Sequence, residues 1–163
     1  KEKGLPNLLN VMDRINKKRE DVYLCIAGDG NMEKEVYDRK NKHIIPVGRI
    51  DFEHIVTLLT ESDIFCLPSF SEGFSTSILE AAACGCYILT TARGGAKELL
   101  INDEYGCIIP NNQENILYDA LVEVIDDPDK RKKGIELTYQ RIKQKFTWDI
   151  VAKNVETICE EQI

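Results

Sequence analysis

Glu72 and Glu80 bracket a short polar stretch, Ser69-Phe70-Ser71-Glu72-Gly73-Phe74-Ser75-Thr76-Ser77-Ile78-Leu79-Glu80, directly after the apolar run Ile64-Phe65-Cys66-Leu67-Pro68. The pattern predicts a buried strand that ends, a turn carrying an acid and a glycine, and a helix beginning near Ser75. Such a helix start presents backbone N–H groups without partners of their own, and these favour anions such as phosphate. Gly73 lets a ligand approach the backbone closely, with Phe74 and Ser75 at the helix start. Carboxylates do not favour phosphate; their natural targets are hydroxyl groups. A ligand carrying phosphate and many hydroxyls is a sugar nucleotide.

The rest of the chain supplies the frame that would hold these groups. Continuous apolar strands are expected at Tyr23–Ala27, Ile44–Val47, Ile64–Leu67, Tyr87–Thr90 and Cys107–Ile109. Amphipathic helices are expected between and after them. They carry Leu5 to Ile15, the polar stretch Met32–Arg39, Phe52 to Leu59, Ser75–Cys84, Ile116 to Ile125, Asp129–Lys145, and Val151 to Ile158. Asn111 and Glu114 read as a capping pair for the helix that Pro128 stops. Pro46 cannot donate to a sheet ladder, so its strand belongs near an edge. This alternation predicts a single α/β domain, a Rossmann-like parallel sheet with helices on both faces. Ligands of such sheets bind beyond the carboxyl ends of the strands. Gly28-Asp29-Gly30, Gly48-Arg49, Ser69–Phe74 and Arg93-Gly94-Gly95 all follow strands and so share one rim.

The 163 residues are enough for one domain with its own core. A formal net charge of −7 argues against nucleic acid as a partner. No apolar run approaches the roughly 20 residues that cross a bilayer. Six cysteines are present, but Cys25, Cys66 and Cys107 fall in strands, where a free thiol packs as a small hydrophobe. Cys84-Gly85-Cys86 lacks companions at zinc-like spacing. Structural thiols in a reducing, cytoplasmic setting are the expectation. His43 and His54 have no acid or nucleophile at a readable spacing, and Lys130-Arg131-Lys132-Lys133 reads as a solvated helical face.

The ordered set of motifs resembles the donor-binding C-terminal domain of family-4 retaining glycosyltransferases of the GT-B fold. Glu72 and Glu80 match its Glu-x7-Glu motif. Glu2-Lys3-Gly4, Ile26-Ala27-Gly28-Asp29-Gly30, Pro68 to Gly85, Gly94-Gly95-Ala96-Lys97-Glu98-Leu99 and Phe146-Thr147-Trp148 match further segments, in order. The resemblance implies that residues 1–163 are one half of a GT-B enzyme, which moves a hexosyl group from a UDP-, GDP- or ADP-linked sugar to an acceptor hydroxyl. It implies Glu72 on donor-sugar hydroxyls, Glu80 on the ribose hydroxyls and Lys3 on the leaving diphosphate. Gly28, Gly30, Val47, Gly48, Gly73, Phe74, Ser75, Gly94 and Gly95 would complete the donor site. It implies no cofactor, no obligatory metal, and an N-terminal Rossmann-like domain of the same polypeptide that binds the acceptor. Through that half the enzyme would reach the inner face of a membrane. The family's first strand and the arginine at its end precede Glu-Lys-Gly and are not in this chain, so of its two diphosphate-neutralising groups only Lys3 maps.

Two other classes share the architecture: a sugar-nucleotide epimerase half-domain and a non-enzymatic flavodoxin-like regulatory module. The Glu72-Gly73-Phe74 to Glu80 block argues against the first. Asp29 and Asp63 do not reproduce the acidic constellation of a phosphate-receiving module.

Overall fold

A computed structural model describes residues 3–160, and Glu2 of the Glu-Lys-Gly segment lies outside the described residues. Helices and strands alternate as α1 (Leu5–Asn16), β1 (Leu24–Ala27), α2 (Glu33–Tyr37), β2 (Ile44–Gly48), α3 (Phe52–Thr60), β3 (Ile64–Leu67), α4 (Thr76–Ala83), β4 (Tyr87–Thr91), α5 (Ala96–Leu99) and β5 (Cys107–Ile109). Three helices follow: α6 (Glu114–Asp126), α7 (Pro128–Lys145) and α8 (Trp148–Glu160).

All strand pairs are parallel, but the strands form two sheets, β1-β2 and β3-β4-β5. Both sheets contribute to one core. Leu24 and Ile26 of β1, and Ile64 and Cys66 of β3, pack against the cluster built by Leu9, Val11, Met12 and Ile15 of α1 with Leu117, Leu121 and Val124 of α6. The opposite face of β3-β4-β5 is covered by Leu59, Ile78, Ala81, Ala82 and Leu99, from α3, α4 and α5. Helices therefore lie on both faces of the larger sheet, as continuous apolar strands require. Leu9 and Ile88 are fully buried; burying such a side chain contributes roughly 1.5–3 kcal/mol.

Between the facing edges of β1 and β3 runs a cleft of about 1290 Å³, lined by Cys25, Ile26, Phe65 and Cys66 among others. Its presence corrects the expectation of uniformly buried thiols, because Cys25 is exposed and Cys66 only half-buried. The chain enters α1 at the carboxyl-end rim of the strands. Gly4 lies against Pro68 so tightly that an added methyl group would stand 1.9 Å from the Pro68 carbonyl oxygen.

Several local expectations shift. β2 is an edge strand paired only with β1, as Pro46 requires. α2 is a single short turn of helix rather than the longer Met32–Arg39. The one-turn α5 was not foreseen. Asn111 and Glu114 do not form a reciprocal cap: Asn111 Oδ1 accepts from the Gln113 N–H, while Glu114 Oε1 accepts from Asn10 at 2.7 Å. Pro128 opens α7 as well as closing α6, and Asp127 caps it by accepting from the Lys130 N–H at 2.8 Å. The basic stretch of α7 is solvated and paired, Lys130 with Glu123 and Lys133 with Glu104. His43 is buried beside Tyr23, and His54 is exposed and bonded to Asp51. No described helix is long and apolar enough to cross a membrane.

Candidate functional site

The rim begins at β1 and β2. The Gly28 N–H donates to the Gly48 carbonyl at 2.7 Å, which ties the two strand ends together. Ile26 lies opposite Pro46 and Ala27 opposite Gly48, so Val47 is the extra residue of a bulge. Gly28, Gly30 and Gly48 line the cleft, whereas Val47 is not among its lining residues.

Beyond β3 the chain turns through Pro68 to Ser75. Glu72 lies at this turn with its side chain mostly covered, and its Oε1 accepts from Lys3 Nζ at 2.5 Å and from Ser69 Oγ at 2.7 Å. Burial works to raise the Glu72 carboxyl, but the hydrogen bonds from Lys3 and Ser69 and the lysine charge outweigh it and hold it below the usual carboxylate range. Glu72 is therefore a carboxylate at neutral pH, with Oε2 the oxygen not engaged by these two donors. The Gly95 N–H donates to the Gly73 carbonyl at 3.2 Å, so the turn after β4 braces the turn after β3.

α4 starts at Ser75 with no side chain capping its first turn and no acid within that turn. Ser75 Oγ instead meets Ser77 Oγ at 2.8 Å. The Ile78 N–H of this first turn donates to the Ser75 carbonyl at 3.2 Å, the Thr76 and Ser77 amides have no side-chain cap, and Glu80 stands one turn further along. Ser77 and Glu80, three residues apart on one helical face, line the same cleft as Lys3, Gly28, Gly30 and Gly48.

The predicted residues therefore fall in two groups. Lys3, Gly28, Gly30, Gly48 and Glu80 share the cleft; Glu72, Gly73, Gly94 and Gly95 form the braced turn beside it. The Lys3–Glu72 ion pair joins them. The Phe74 ring packs on Phe146, with centroids 5.7 Å apart, and against Gly95, so its side chain serves packing while its backbone leads into α4. Sequence reasoning missed Ser77 and Tyr37 as lining residues. Spacing from Glu80 marks Ser77 in retrospect; nothing local marks Tyr37.

The site combines a helix start, one lysine and the Glu80 carboxylate along a glycine-lined cleft, with the Glu72 carboxylate on the adjoining turn. Such a set can hold a diphosphate and several hydroxyl groups at once. The family model described as "Glycosyl transferases group 1" matches residues 1–141. The gpi3 subunit of phosphatidylinositol N-acetylglucosaminyltransferase from Schizosaccharomyces pombe is 30% identical over 98% of the chain and 36% of its own length. Glycogen synthase from Mycobacterium tuberculosis is 31% identical over 93% of the chain and 38% of its own length. HepE from Anabaena, solved in complex with UDP-glucose, superposes with a TM-score of 0.82 at 21% identity, covering 98% of this chain and 46% of that one. The chain thus spans less than half the length of these proteins. The solved structures it resembles are GT-B glycosyltransferases. By its sequence match, and with the fold in agreement, the chain belongs to the group 1 glycosyl transferases.

Proposed function

We propose that residues 1–163 are the donor-binding half of a retaining glycosyltransferase. The intact enzyme moves a hexosyl group from a nucleoside-diphosphate sugar to a sugar or glycolipid hydroxyl, in polysaccharide or glycoconjugate assembly. The observation that carries this reading is the convergence of Glu80, Lys3 and the strand-end glycines at the carboxyl-end rim of one cleft, with the Glu72 turn tied to it through Lys3. Glu80 takes the ribose hydroxyls, Glu72 the hydroxyls of the transferred sugar. The α4 amides and Lys3 stabilise the diphosphate as negative charge develops on it. Diphosphate competes with Glu72 for Lys3, so donor binding frees carboxylate oxygen as it engages the lysine. The departing phosphate oxygen serves as base toward the acceptor hydroxyl, and this half supplies no catalytic histidine.

In this reading the intact polypeptide also provides an N-terminal Rossmann-like acceptor domain, and the enzyme works on the cytoplasmic side, at a membrane where the acceptor is a lipid. The residues directly upstream of Lys1 supply a parallel strand between β1 and β3. Three features support that strand: the open cleft, the parallel direction of both neighbours, and the arrival of the chain at the carboxyl-end rim beside Pro68. A strand there would reach β1 through α1 in the usual crossover sense.

Calorimetry of the full-length polypeptide with UDP, GDP and ADP tests the site. One nucleotide binds, and Glu80→Ala weakens it by about tenfold, as loss of a charge-assisted hydrogen bond requires. Unchanged affinity removes the ribose role. Product analysis with the matching sugar nucleotide then shows transfer with retained anomeric configuration.

A further inference from the structure

Of the six buried polar or charged residues among those described, four gather at the end of β3: Ser69, Thr90, Thr91 and Asn112. Buried polar side chains are costly unless bonded, and here each is. Thr90 Oγ1 donates to the Leu67 carbonyl at 2.9 Å, Asn112 Nδ2 to the Pro68 carbonyl at 2.9 Å, and Thr91 Oγ1 to the Ser69 carbonyl at 2.6 Å. Three successive carbonyls leaving the strand are thus each held by a separate side chain. The clamp extends outward, since the Asn112 carbonyl accepts from Asn7 Nδ2 at 2.8 Å.

Ser69 is fastened by this arrangement at its carbonyl, and its own hydroxyl is spent on Glu72 Oε1 at 2.7 Å. The other donor to that oxygen, Lys3, is a long side chain with 63% of its surface exposed. One partner of the carboxylate is therefore rigid and the other mobile. A glutamate on a turn loses rotamer freedom when it is ordered, and fixing it beforehand removes that loss from the reaction.

We propose that Ser69 is the positioning residue of this site: held by the Thr91 and Asn112 clamps, it pins one oxygen of Glu72 and leaves the other for the sugar hydroxyls. This rests on the transferase reading above. It acts through Glu72 and does not itself touch the donor.

The test uses the full-length polypeptide with its sugar nucleotide. Ser69→Ala lowers kcat by about tenfold with the donor KM held within about twofold, and Ser69→Thr, which keeps the hydroxyl, restores most of the rate. In a Glu72→Ala background Ser69→Ala has no additional effect, because its target is gone. Thr91→Val keeps shape while removing the hydroxyl that holds the Ser69 carbonyl; it lowers kcat in the same direction and carries the test where Ser69→Ala fails to fold. Wild-type kcat in both Ser69→Ala and Thr91→Val, or an undiminished further loss in the Glu72→Ala background, overturns the assignment while leaving the transferase reading intact. Absence of any transfer by the wild-type protein overturns both.

Discussion

Gly94 is seated directly on Gly73. A methyl group added at Gly94 would stand 1.6 Å from the Gly73 carbonyl oxygen, and the Gly94 φ of +53° already lies where side chains are disfavoured. The turn after β4 can brace the turn carrying Glu72 only because Gly94 has no side chain at the contact; a methyl group added at Gly73 would meet open space.

Gly94→Ala is therefore expected to destabilise the fold by about 2–4 kcal/mol, from backbone strain and overpacking together. Gly28 also has a positive φ but open space around it, so Gly28→Ala is expected to lose only about 1–2 kcal/mol. Denaturant unfolding of the two variants gives the order. Equal losses would show that the Gly94–Gly73 contact is not tight in solution.

Loss of the Glu72 carboxyl should separate chemistry from folding. In the full-length polypeptide, Glu72→Ala is expected to lower transfer by at least about a hundredfold, with the thermal midpoint changed by only a few degrees. Full activity in this variant would remove Glu72 from the mechanism.

The Lys3–Glu72 pair sets a pH dependence with a definite sign. The folded carboxyl sits below its ordinary value, so the pairing stabilises the protein above the unfolded carboxylate's titration range. That contribution is lost as pH falls through the folded value. Lys3→Met removes a hydrogen bond and a charge that hold the value down, while burial and the Ser69 bond remain, so the Glu72 titration seen by NMR should move upward. An unmoved titration would mean that Lys3 does not hold the carboxylate in solution.

Thiol chemistry should follow burial rather than position along the chain. Burial pushes the Cys86 thiol up to about 12, and its Sγ donates to the Leu59 carbonyl at 3.1 Å; Cys25 and Cys159 are exposed. Alkylation of residues 1–163 at about pH 8, followed by mass spectrometry, should modify Cys25 and Cys159 first and leave Cys86 to global unfolding. Early modification of Cys86 would contradict the packing around β4.

The proposed upstream strand makes a further prediction. Amides of Cys25, Ile64 and Cys66, which by register point away from β2 and β4, should exchange fast in residues 1–163 alone and slowly in the full-length polypeptide, where a strand covers both edges. Equal exchange in the two would leave the cleft open and remove the strand from the proposal.

Apolar runs and helical spacing located most of this fold because burial on both faces leaves a strong local signal. Ile64–Leu67 and Cys107–Ile109 were readable to the residue. Features decided by distant partners were not. Nothing near Cys25 shows that its strand borders a cleft, and Ala96–Leu99 is too short for a pattern of its own. Glu114 meets Asn10 across 104 residues instead of capping its own helix. The acids and glycines of the site were visible through motif and spacing. The clamp on the Pro68 turn was not: Thr90, Thr91 and Asn112 reach it from 22 to 44 residues away, and threonine in a strand ordinarily signals only β-propensity.

The wedging of Gly4 beneath Pro68 has a mechanical consequence. Any displacement arriving along the backbone ahead of α1 meets the Glu72 loop at its first contact, through the carbonyl that Asn112 grips and through the neighbouring Lys3 ammonium. The same few ångströms that launch the first helix therefore act as a lever arm on the Glu72 carboxylate, the group proposed to meet the donor sugar.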